Sequence, residues 1–484
     1  MSAAAVCLTT IVAIVAFGTA VGFVAGVHRK MDLEQWTVGG RGFGAVLVFL
    51  LMAGEACTTF SLLGASGWIY SRGGPTLYVL AYITLAYVVS FFILPPIWEL
   101  GRRHRLQTHS DFFDLRYGNR YLAAFACLVG IASFVPYLQL QITGVGIIVS
   151  IASFDGISRW AAMTVAVVLL VAFVFASGVR AVAWVSVVKD VLMLCAALAI
   201  GIGVPFIHFG GISPMFAALV HAKPAHLTMP GATLNQGHAW FISSVLLTSL
   251  GFYMWPHFFG ATYTARSADT LRRNAVVMPL YTLTLVFIFF AAFTAVLVAP
   301  GLASGDLALL TVVRRSFPPW FLGVVGGAGV LTAMVPAAII TLTAATLFAK
   351  NLYRPLFAPA MTDDQVARLA RAMVVVIGLI SLTLAIFSST TIVSLLLMGY
   401  AGVTQFFPGV VLGLYWKRVT TVAVFVGMAA GVATAVFLML THRDPLFGMN
   451  AGFLALCLNF LIVVGVSLLR PAPAGDARAL QAAT

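Results

Sequence analysis

The chain has 484 residues, of which 61% are hydrophobic and 8% are charged, and its mean hydropathy is +1.05. A water-soluble fold has too little interior for that share of apolar side chains, so the composition excludes a soluble protein. The net charge of +13 would suit a nucleic-acid-binding protein. However, the basic residues concentrate in alternate loops, which indicates membrane topology, and we expect no nucleic-acid partner.

Apolar runs long enough to cross a lipid bilayer recur from one end of the chain to the other. We count about thirteen, since about 20 apolar residues in a helix span the hydrocarbon layer. They occupy residues 3–27, 43–68, 75–98, 121–151, 160–178, 182–207, 239–260, 275–300, 318–349, 371–389, 392–415, 420–441 and 450–469. Backbone amides in lipid must be paired within their own segment, so the runs predict an all-helical integral membrane protein.

Basic residues predict the orientation of these helices. No basic residue precedes the first run, whereas Arg29 and Lys30 follow it, which places the N-terminus outside. The loops on the Lys30 side hold about twenty basic residues and the opposite loops about six. We therefore expect a multi-pass protein of the cytoplasmic (inner) membrane with a cytoplasmic C-terminus. The first run lacks the features of a cleaved signal and is expected to remain as a helix.

Two of the runs are interrupted near their centres. Gly54 and Glu55 lie mid-span in the first of them, and Gly251, Pro256 and His257 interrupt the second. Glycine and proline also occur in membrane helices for packing alone. Nevertheless, matched broken helices in two halves of a chain are typical of inverted-repeat transporters, whose binding site lies at the breaks.

The breaks suggest how a single transmembrane domain, 1–484, is organised, because each opens a set of five spans. The expected parts are an extra N-terminal helix within 1–30, a first repeat 43–207, a second repeat 239–415, two C-terminal helices within 420–469 and a disordered cytoplasmic tail 470–484.

Several motifs resemble one known family, in order and over nearly the whole chain. They are WTVGGRG (36–42), MAGE and FSLLGASGWIYSRGG (within 52–74), LQTHSDFFDLRYG (106–118), AVAW (181–184), WPH (255–257), KNLY (350–353) and QFFPGVVLGLYWKRVT (405–420). The sequence is similar to the sodium:solute symporter family, and most similar to its bacterial monocarboxylate permeases. The resemblance implies a LeuT-type core of two inverted five-helix repeats, with one helix before it and two after it. It also implies coupled uptake of a small polar solute across the bilayer. We expect no cofactor other than the coupling ion, and a monomer to suffice.

The resemblance also implies a sodium site, from which this sequence departs. The backbone carbonyl positions of that site correspond to Gly54, Cys57 and Thr332, and its two hydroxyl positions to Val335 and Pro336. Valine and proline have no hydroxyl. We therefore interpret Val335 and Pro336 as vestiges of a lost sodium site and predict that no metal binds there.

Lys189 offers a replacement for the missing cation. In the run 182–207, Ser186 takes the position at which the family has an acid, and Lys189 follows on the same helix face. Helical rise places this lysine ~13 Å into the membrane. We expect its nitrogen to bond the carbonyls of Gly54 and Cys57 and to lose and regain a proton in each cycle. The alternatives are that Lys189 extends to the inner surface or forms a structural ion pair with Asp190.

The two breaks also supply further polar candidates. Glu55 either carries a proton toward the substrate or accepts hydrogen bonds from freed amides, and both roles remain open. His257 is either a packing residue or part of the substrate site. The substrate-binding candidates are Thr58, Thr59 and Ser61 from the first break, Phe252, Tyr253, Trp255 and His257 from the second, and Tyr400 and Gln405 from the run 392–415.

These observations predict a proton-coupled symporter that imports a small organic solute, namely a monocarboxylate, with Lys189 in place of sodium. The alternative within the class is a sodium-coupled symporter of an amino acid, a vitamin or acetate. A membrane sensor of the same fold would need a cytoplasmic signalling domain, for which we expect the tail 470–484 to be too short. An enzyme is not expected because the intramembrane polar residues match no catalytic or metal-binding spacing. A channel is disfavoured by the family resemblance alone.

Overall fold

The computed structural model describes residues 1–26, 33–176, 178–233 and 236–469. Within these ranges, regular structure is helical, and the β-structure consists of two isolated bridges. The all-helical prediction is therefore confirmed. The predicted disorder of the tail 470–484 and the topology signal at Arg29 and Lys30 lie outside the described residues.

The first half of the chain contains one N-terminal helix, a short amphipathic helix and the predicted first repeat. Its helices are α1 (Ala3–Gly26), α2 (Leu33–Val38), α3 (Ala45–Ala56), a π-helix (Phe60–Gly64), α4 (Ala65–Arg72), α5 (Tyr78–Arg103), α6 (His109–Tyr117), α7 (Arg120–Ala152), α8 (Arg159–Ala176), α9 (Val179–Phe209) and α10 (Ile212–Ala222).

The second half contains the predicted second repeat and two C-terminal helices. Its helices are α11 (His238–Gly251), α12 (Pro256–Thr264), α13 (Ala268–Thr282), α14 (Thr284–Val298), α15 (Ala308–Ser316), α16 (Pro319–Thr346), a π-helix (Leu347–Tyr353), α17 (Arg354–Phe357), α18 (Asp363–Phe387), α19 (Ile392–Val403), α20 (Phe407–Tyr415), α21 (Thr421–Leu440) and α22 (Ala451–Leu469).

Each of the predicted apolar runs forms helix where the structure describes it, but fewer of these helices than runs are long enough to cross a membrane. Among the described residues, ten helical segments are long and apolar enough to span a bilayer, and the bent pair α3–α4 adds an eleventh. The runs at α8 and α11 form shorter apolar helices. The count of thirteen transmembrane helices is therefore approximate. We call the face at which α4 ends the outer face and the face at which α5 ends the inner face, following the predicted topology.

Both interrupted runs form broken helices. The first is bent by 48° between α3 and the segment that begins at Phe60. There Cys57 leaves the helical conformation, with φ −96° and ψ 97°. At the second break Trp255 has ψ 131°, and Pro256 begins α12. A proline disfavours helical backbone in the residue before it and needs no donor at a helix start, so Pro256 accounts for both features.

The inner ends of the two broken helices are tied together by backbone hydrogen bonds. Phe43, before α3, donates its N–H to the Thr264 carbonyl and accepts from the Arg266 N–H, both at 3.0 Å. Trp98 of α5 adds a bond from its indole nitrogen to the Ala265 carbonyl at 2.8 Å. These contacts join the chain at the start of α3 and helix α5 to the inner end of α12.

A polar cluster on the inner face joins α6 to the π-helix Leu347–Tyr353 that follows α16. Asp111 is part of a capping box with Thr108 at the start of α6. Its carboxylate also accepts from Lys350 Nζ and from Asn351 Nδ2, both at 2.7 Å. Burial by itself would raise the pKa of Asp111, but the Lys350 ammonium and the donated hydrogen bonds hold that pKa below the usual aspartate range.

Replacing Asp111 with asparagine should destabilise the fold by about 1–3 kcal/mol, because it removes the charge that Lys350 and the cap require. A carboxylate whose pKa is lower in the folded protein than in the unfolded chain stabilises the fold at pH values above its unfolded-state pKa. That stabilisation is lost only as the pH falls through the folded-state pKa. The deficit should therefore be constant from about pH 6 to pH 8. The melting temperature of the purified protein measures it. Asp114→Asn, an exposed change on the same helix, is the control, and equal melting temperatures for both variants would contradict the assignment.

Candidate substrate and ion site

The first break frees backbone carbonyls that a continuous helix would pair. The N–H of Thr59 donates to Gln141 Oε1 at 3.3 Å, and the N–H of Phe60 donates to Thr58 Oγ1 at 3.1 Å. Neither N–H therefore donates to a carbonyl of α3. Side chains take over the carbonyls of residues 54–57. Ser61 Oγ donates to Ala56 at 3.2 Å. Buried backbone acceptors are costly in lipid unless they are paired, and side chains supply the donors here.

Lys189 supplies the donors for two of these carbonyls. Its Nζ lies 2.8 Å from the carbonyl oxygens of both Gly54 and Cys57 and 3.0 Å from Asp190 Oδ1. An ammonium has three N–H donors, two of which donate to these carbonyls, and its charge is paired with the Asp190 carboxylate. The side chain is 0% exposed and does not extend to the inner surface. The contact predicted from the sequence is present, alongside the ion pair with Asp190, whereas the coupling role stays a prediction.

Neighbouring side chains fix the position of this ion pair. Tyr281 of α13 donates its hydroxyl to Asp190 Oδ1 at 2.9 Å. Ser186 donates to the Val182 carbonyl of its own helix at 3.0 Å, so its hydroxyl contributes to α9 rather than to the ion pair. A Cβ added to Gly54 would lie 2.8 Å from Ser186 Oγ and 3.6 Å from Lys189 Nζ. Glycine at this position therefore allows α9 to approach the break closely.

The remaining positions of the family's sodium site lie on α16. Val335 and Pro336 are buried and carry no hydroxyl. Because Pro336 has no N–H, the carbonyl of Thr332 lacks the donor that a regular helix would provide. The Thr332 hydroxyl is also buried without a hydrogen-bond partner in the described part of the chain. The loss of sodium binding stays a prediction.

A second ionisable pair joins the two breaks. His257 Nε2 lies 3.4 Å from Glu55 Oε2, and both side chains are 0% exposed. The described residues give neither carboxylate oxygen and neither ring nitrogen a partner with hydrogen-bond geometry. The rings of Phe134, Tyr137 and Phe258 pack around His257, with centroids 4.5–5.9 Å away. Buried polar groups normally have partners, so this pair has capacity for a further ligand.

The predicted aromatic residues are brought together beside this pair. Trp255 packs on Tyr137 at 4.7 Å and on Tyr400 at 5.5 Å between ring centroids. Phe252 packs on Tyr253 at 5.0 Å. These aromatic residues are fully or almost fully buried and line the region between the two breaks.

The predicted polar residues fall into two groups. Thr58 and Ser61 are committed to the backbone of the break, whereas Thr59 Oγ1 is buried without a partner among the described residues. The Gln405 side chain bonds to its own helix and to α22, and its substrate role stays a prediction. It donates to the Ala401 carbonyl at 3.1 Å and accepts from Asn459 Nδ2 of α22 at 3.1 Å.

Sequence reasoning missed three residues that the structure places at the site. Gln141 and Tyr137 extend from α7 to the first break, and Tyr281 binds Asp190. An amide within the apolar run 121–151 was a usable signal, because a buried polar group in lipid needs a specific partner. Tyrosine is common in apolar segments, so neither tyrosine carried such a signal.

Comparison with known proteins gives one consistent result. A sequence profile described as "Sodium:solute symporter family" matches residues 36–431. The chain is 46% identical over 461 residues to the uncharacterized symporter YhjB of Bacillus subtilis (strain 168), covering 93% of this chain and 94% of the relative. It is 26% identical over 474 residues to a monocarboxylate transport permease protein of Rhizobium johnstonii, covering 94% and 95%. The solved structure of a Na+-coupled sialic acid symporter superposes with a TM-score of 0.80 at 16% identity, covering 97% and 98%, and this shows the fold.

Broken helices surround a buried polar site, on a fold that the chain shares with a solved symporter. The family profile and the relative of 46% identity define the chain as a secondary active symporter. With most of its length matched by the family profile, the chain belongs to the sodium:solute symporter family. The fold and family predictions are confirmed.

Replacing Gly54 with alanine should destabilise the protein by about 1–3 kcal/mol, because the new methyl group overpacks the contact with Ser186 and Lys189. The melting temperature in detergent measures the effect. The matched control is Gly260→Ala in the second broken helix, where an added Cβ meets nothing within 4 Å. A Gly54→Ala protein as stable as the Gly260→Ala protein would show that α9 does not pack tightly on the break.

Proposed function

We propose that this protein couples the uptake of a small monocarboxylate to protons, with the Lys189 ammonium acting where relatives bind sodium. The observation that carries the proposal is the pair of hydrogen bonds from Lys189 Nζ to the carbonyls of Gly54 and Cys57, together with its ion pair with Asp190. We place the protein in the cytoplasmic membrane with its N-terminus outside and regard one chain as sufficient for transport.

The charge and ligands of Lys189 support this substitution. Carbonyl oxygens suit a hard cation such as sodium, and a protonated amine presents the same positive charge to the same two carbonyls. A sodium ion at this place would compete with the amine for those oxygens. It would also lack the hydroxyl ligands that Val335 and Pro336 do not provide.

Proton loss offers a simple way to change conformation. Charged donors form hydrogen bonds about twice as strong as neutral ones, and a neutral amine has one donor fewer. Deprotonation of Lys189 therefore weakens its contacts to Gly54 and Cys57 and loosens α9 from the first broken helix. Protonation from one side and release to the other would couple this movement to the proton gradient.

The unpartnered groups at the breaks support an anionic polar substrate. Thr59, Gln141 and His257 hold potential donors without partners in the described residues, and a carboxylate can accept from such groups. Glu55 lies beside them and would repel a substrate carboxylate unless one of the two were protonated. This favours binding of substrate and proton together. The similarity to a monocarboxylate transport permease protein points to the same substrate class.

Uptake into proteoliposomes tests the proposal. Labelled lactate or pyruvate is supplied outside, the membrane potential is clamped, and either a pH gradient or a sodium gradient is imposed. A gradient of one pH unit supplies ~1.4 kcal/mol, enough for about tenfold accumulation at one proton per substrate. We expect initial rates above those of protein-free liposomes with the pH gradient alone. Uptake that requires sodium and ignores pH would refute the proposal.

Lys189→Ala should abolish uptake driven by the pH gradient, because no protonatable cation then holds the two carbonyls. Initial uptake rates measure this, with Lys417→Ala as a control that removes an exposed lysine from a loop. The single change strands Asp190 as a buried charge, which itself destabilises. The double variant Lys189→Met, Asp190→Asn avoids that defect and should fold yet remain uncoupled. Proton-driven uptake by the folded double variant would exclude the role of Lys189.

Glu55→Gln should separate binding from proton coupling, since glutamine resembles a permanently protonated glutamate. We expect exchange of internal for external substrate to persist and to depend less on pH, while accumulation driven by the pH gradient is lost. Counterflow and gradient-driven uptake measure the two activities on the same vesicles. If Glu55 serves only the backbone, the glutamine variant will accumulate substrate like the unmodified protein.

A further inference from the structure

The outer face contains a cavity of about 450 Å³ that shares no lining residue with the site at the breaks. It lies between the outer ends of the two broken helices, the start of α19 and the connection from α21 to α22. Trp68, Arg72, Gln236 and Trp240 line one side, and His442 and Asp444 line the other. Its volume is in the range of small-molecule binding sites.

A cation without an acidic partner faces this cavity. The Arg72 guanidinium lies 4.3 Å above the ring of Trp68, and Trp68 packs on Trp240 with centroids 5.8 Å apart. Within the described ranges, no Asp or Glu oxygen lies within ion-pair distance of Arg72. Stacking on indole orients a guanidinium and leaves its edge available, and the planar fork of N–H groups matches a carboxylate.

A buried acceptor without a partner among the described residues also lines this cavity. The Ala232 N–H donates to the Arg72 carbonyl at 2.9 Å, which ties the segment preceding Gln236 to the end of α4. Gln236 is 3% exposed, and its Oε1 is buried with no hydrogen-bond partner among the described residues. A buried acceptor that lacks a donor costs about 1–3 kcal/mol, so a ligand with a donor would relieve that cost.

The acidic residue that lines the cavity, Asp444, leaves the Arg72 guanidinium available to a ligand. Asp444 is exposed to solvent, and its Oδ1 accepts from the Ala451 N–H at 3.0 Å. It does not pair with Arg72, and water screens its charge. His442, the other ionisable residue of that side, is also exposed.

We propose that this cavity is a second, outer binding site for a small 2-hydroxy carboxylate. The carboxylate pairs with the edge of the Arg72 guanidinium, the hydroxyl donates to Gln236 Oε1, and the carbon skeleton packs against Trp240. The ligand class follows from Arg72 and Gln236 alone and does not depend on the proposed coupling mechanism.

Equilibrium binding of labelled lactate to the full chain in nanodiscs tests this site, with propionate as the matched acid that lacks the hydroxyl. Arg72→Gln should remove one saturable lactate site per chain. The control Arg443→Gln removes the same charge from the same face at an exposed position outside the cavity lining and should leave binding unchanged. Propionate should bind the outer site about tenfold more weakly than lactate, because it leaves Gln236 unpaired.

The variant Gln236→Leu tests the proposed hydrogen bond between the ligand hydroxyl and Gln236. It should reduce lactate affinity to that of propionate without changing propionate affinity, whereas an indirect effect on folding would weaken both acids. Lactate binding that is equal in Arg72→Gln and unmodified protein would overturn the outer site, and equal affinity for lactate and propionate in the unmodified protein would overturn the role of Gln236.

The outcomes separate this site from the proposed function. If only the outer site exists, the unmodified chain binds one lactate, which Arg72→Gln abolishes, and the pH gradient drives no uptake. If only the transport proposal holds, the chain binds one lactate that Arg72→Gln leaves intact, and the pH gradient still drives uptake. If both hold, two lactate molecules bind and one is lost in Arg72→Gln.

Discussion

Unpaired backbone carbonyls in a lipid environment are the constraint on which this structure depends. A helix that unwinds inside a membrane must find new donors for the acceptors it frees, since no bulk water is present to supply them. Here the donors are side chains, and the decisive one is the ammonium of Lys189, with bonds to Gly54 and Cys57. The same group therefore stabilises the break and introduces a charge whose protonation can alter it.

Two ionisable pairs with different surroundings share the space around the first break. Lys189 donates to the two freed carbonyls and forms an ion pair with Asp190, and Tyr281 adds a bond to one oxygen of that carboxylate. Glu55 and His257 approach each other without hydrogen-bond geometry and have unused capacity. The freed backbone holds the Lys189 amine in one arrangement, whereas the unpartnered atoms of Glu55 and His257 can bind a further group. This difference is the physical basis for proposing ion coupling at the first pair and substrate binding at the second.

Glycine residues allow neighbouring helices to approach both breaks closely. Gly54 lets Ser186 and Lys189 of α9 approach the first break, and Gly251 lets Thr404 approach the second in the same way. A side chain at either glycine would separate the helices and lengthen the polar contacts across them. The hydrogen bonds at the breaks therefore depend on tight helix packing, because a side chain reaches the freed backbone only when its helix lies close to the break.

The sequence by itself determined the helical class, the positions of the apolar runs and both breaks. Hydropathy and helix length are local properties, and Pro256 acts on the residue directly before it. The tertiary structure decided which polar groups meet. It brought Gln141 and Tyr281 to the first break and its ion pair, and it placed the Gln405 side chain against Asn459. It also left the Thr59 hydroxyl without a partner among the described residues, while the Thr58 hydroxyl caps the backbone. These outcomes depend on contacts between residues far apart in the chain, which periodicity and composition do not encode.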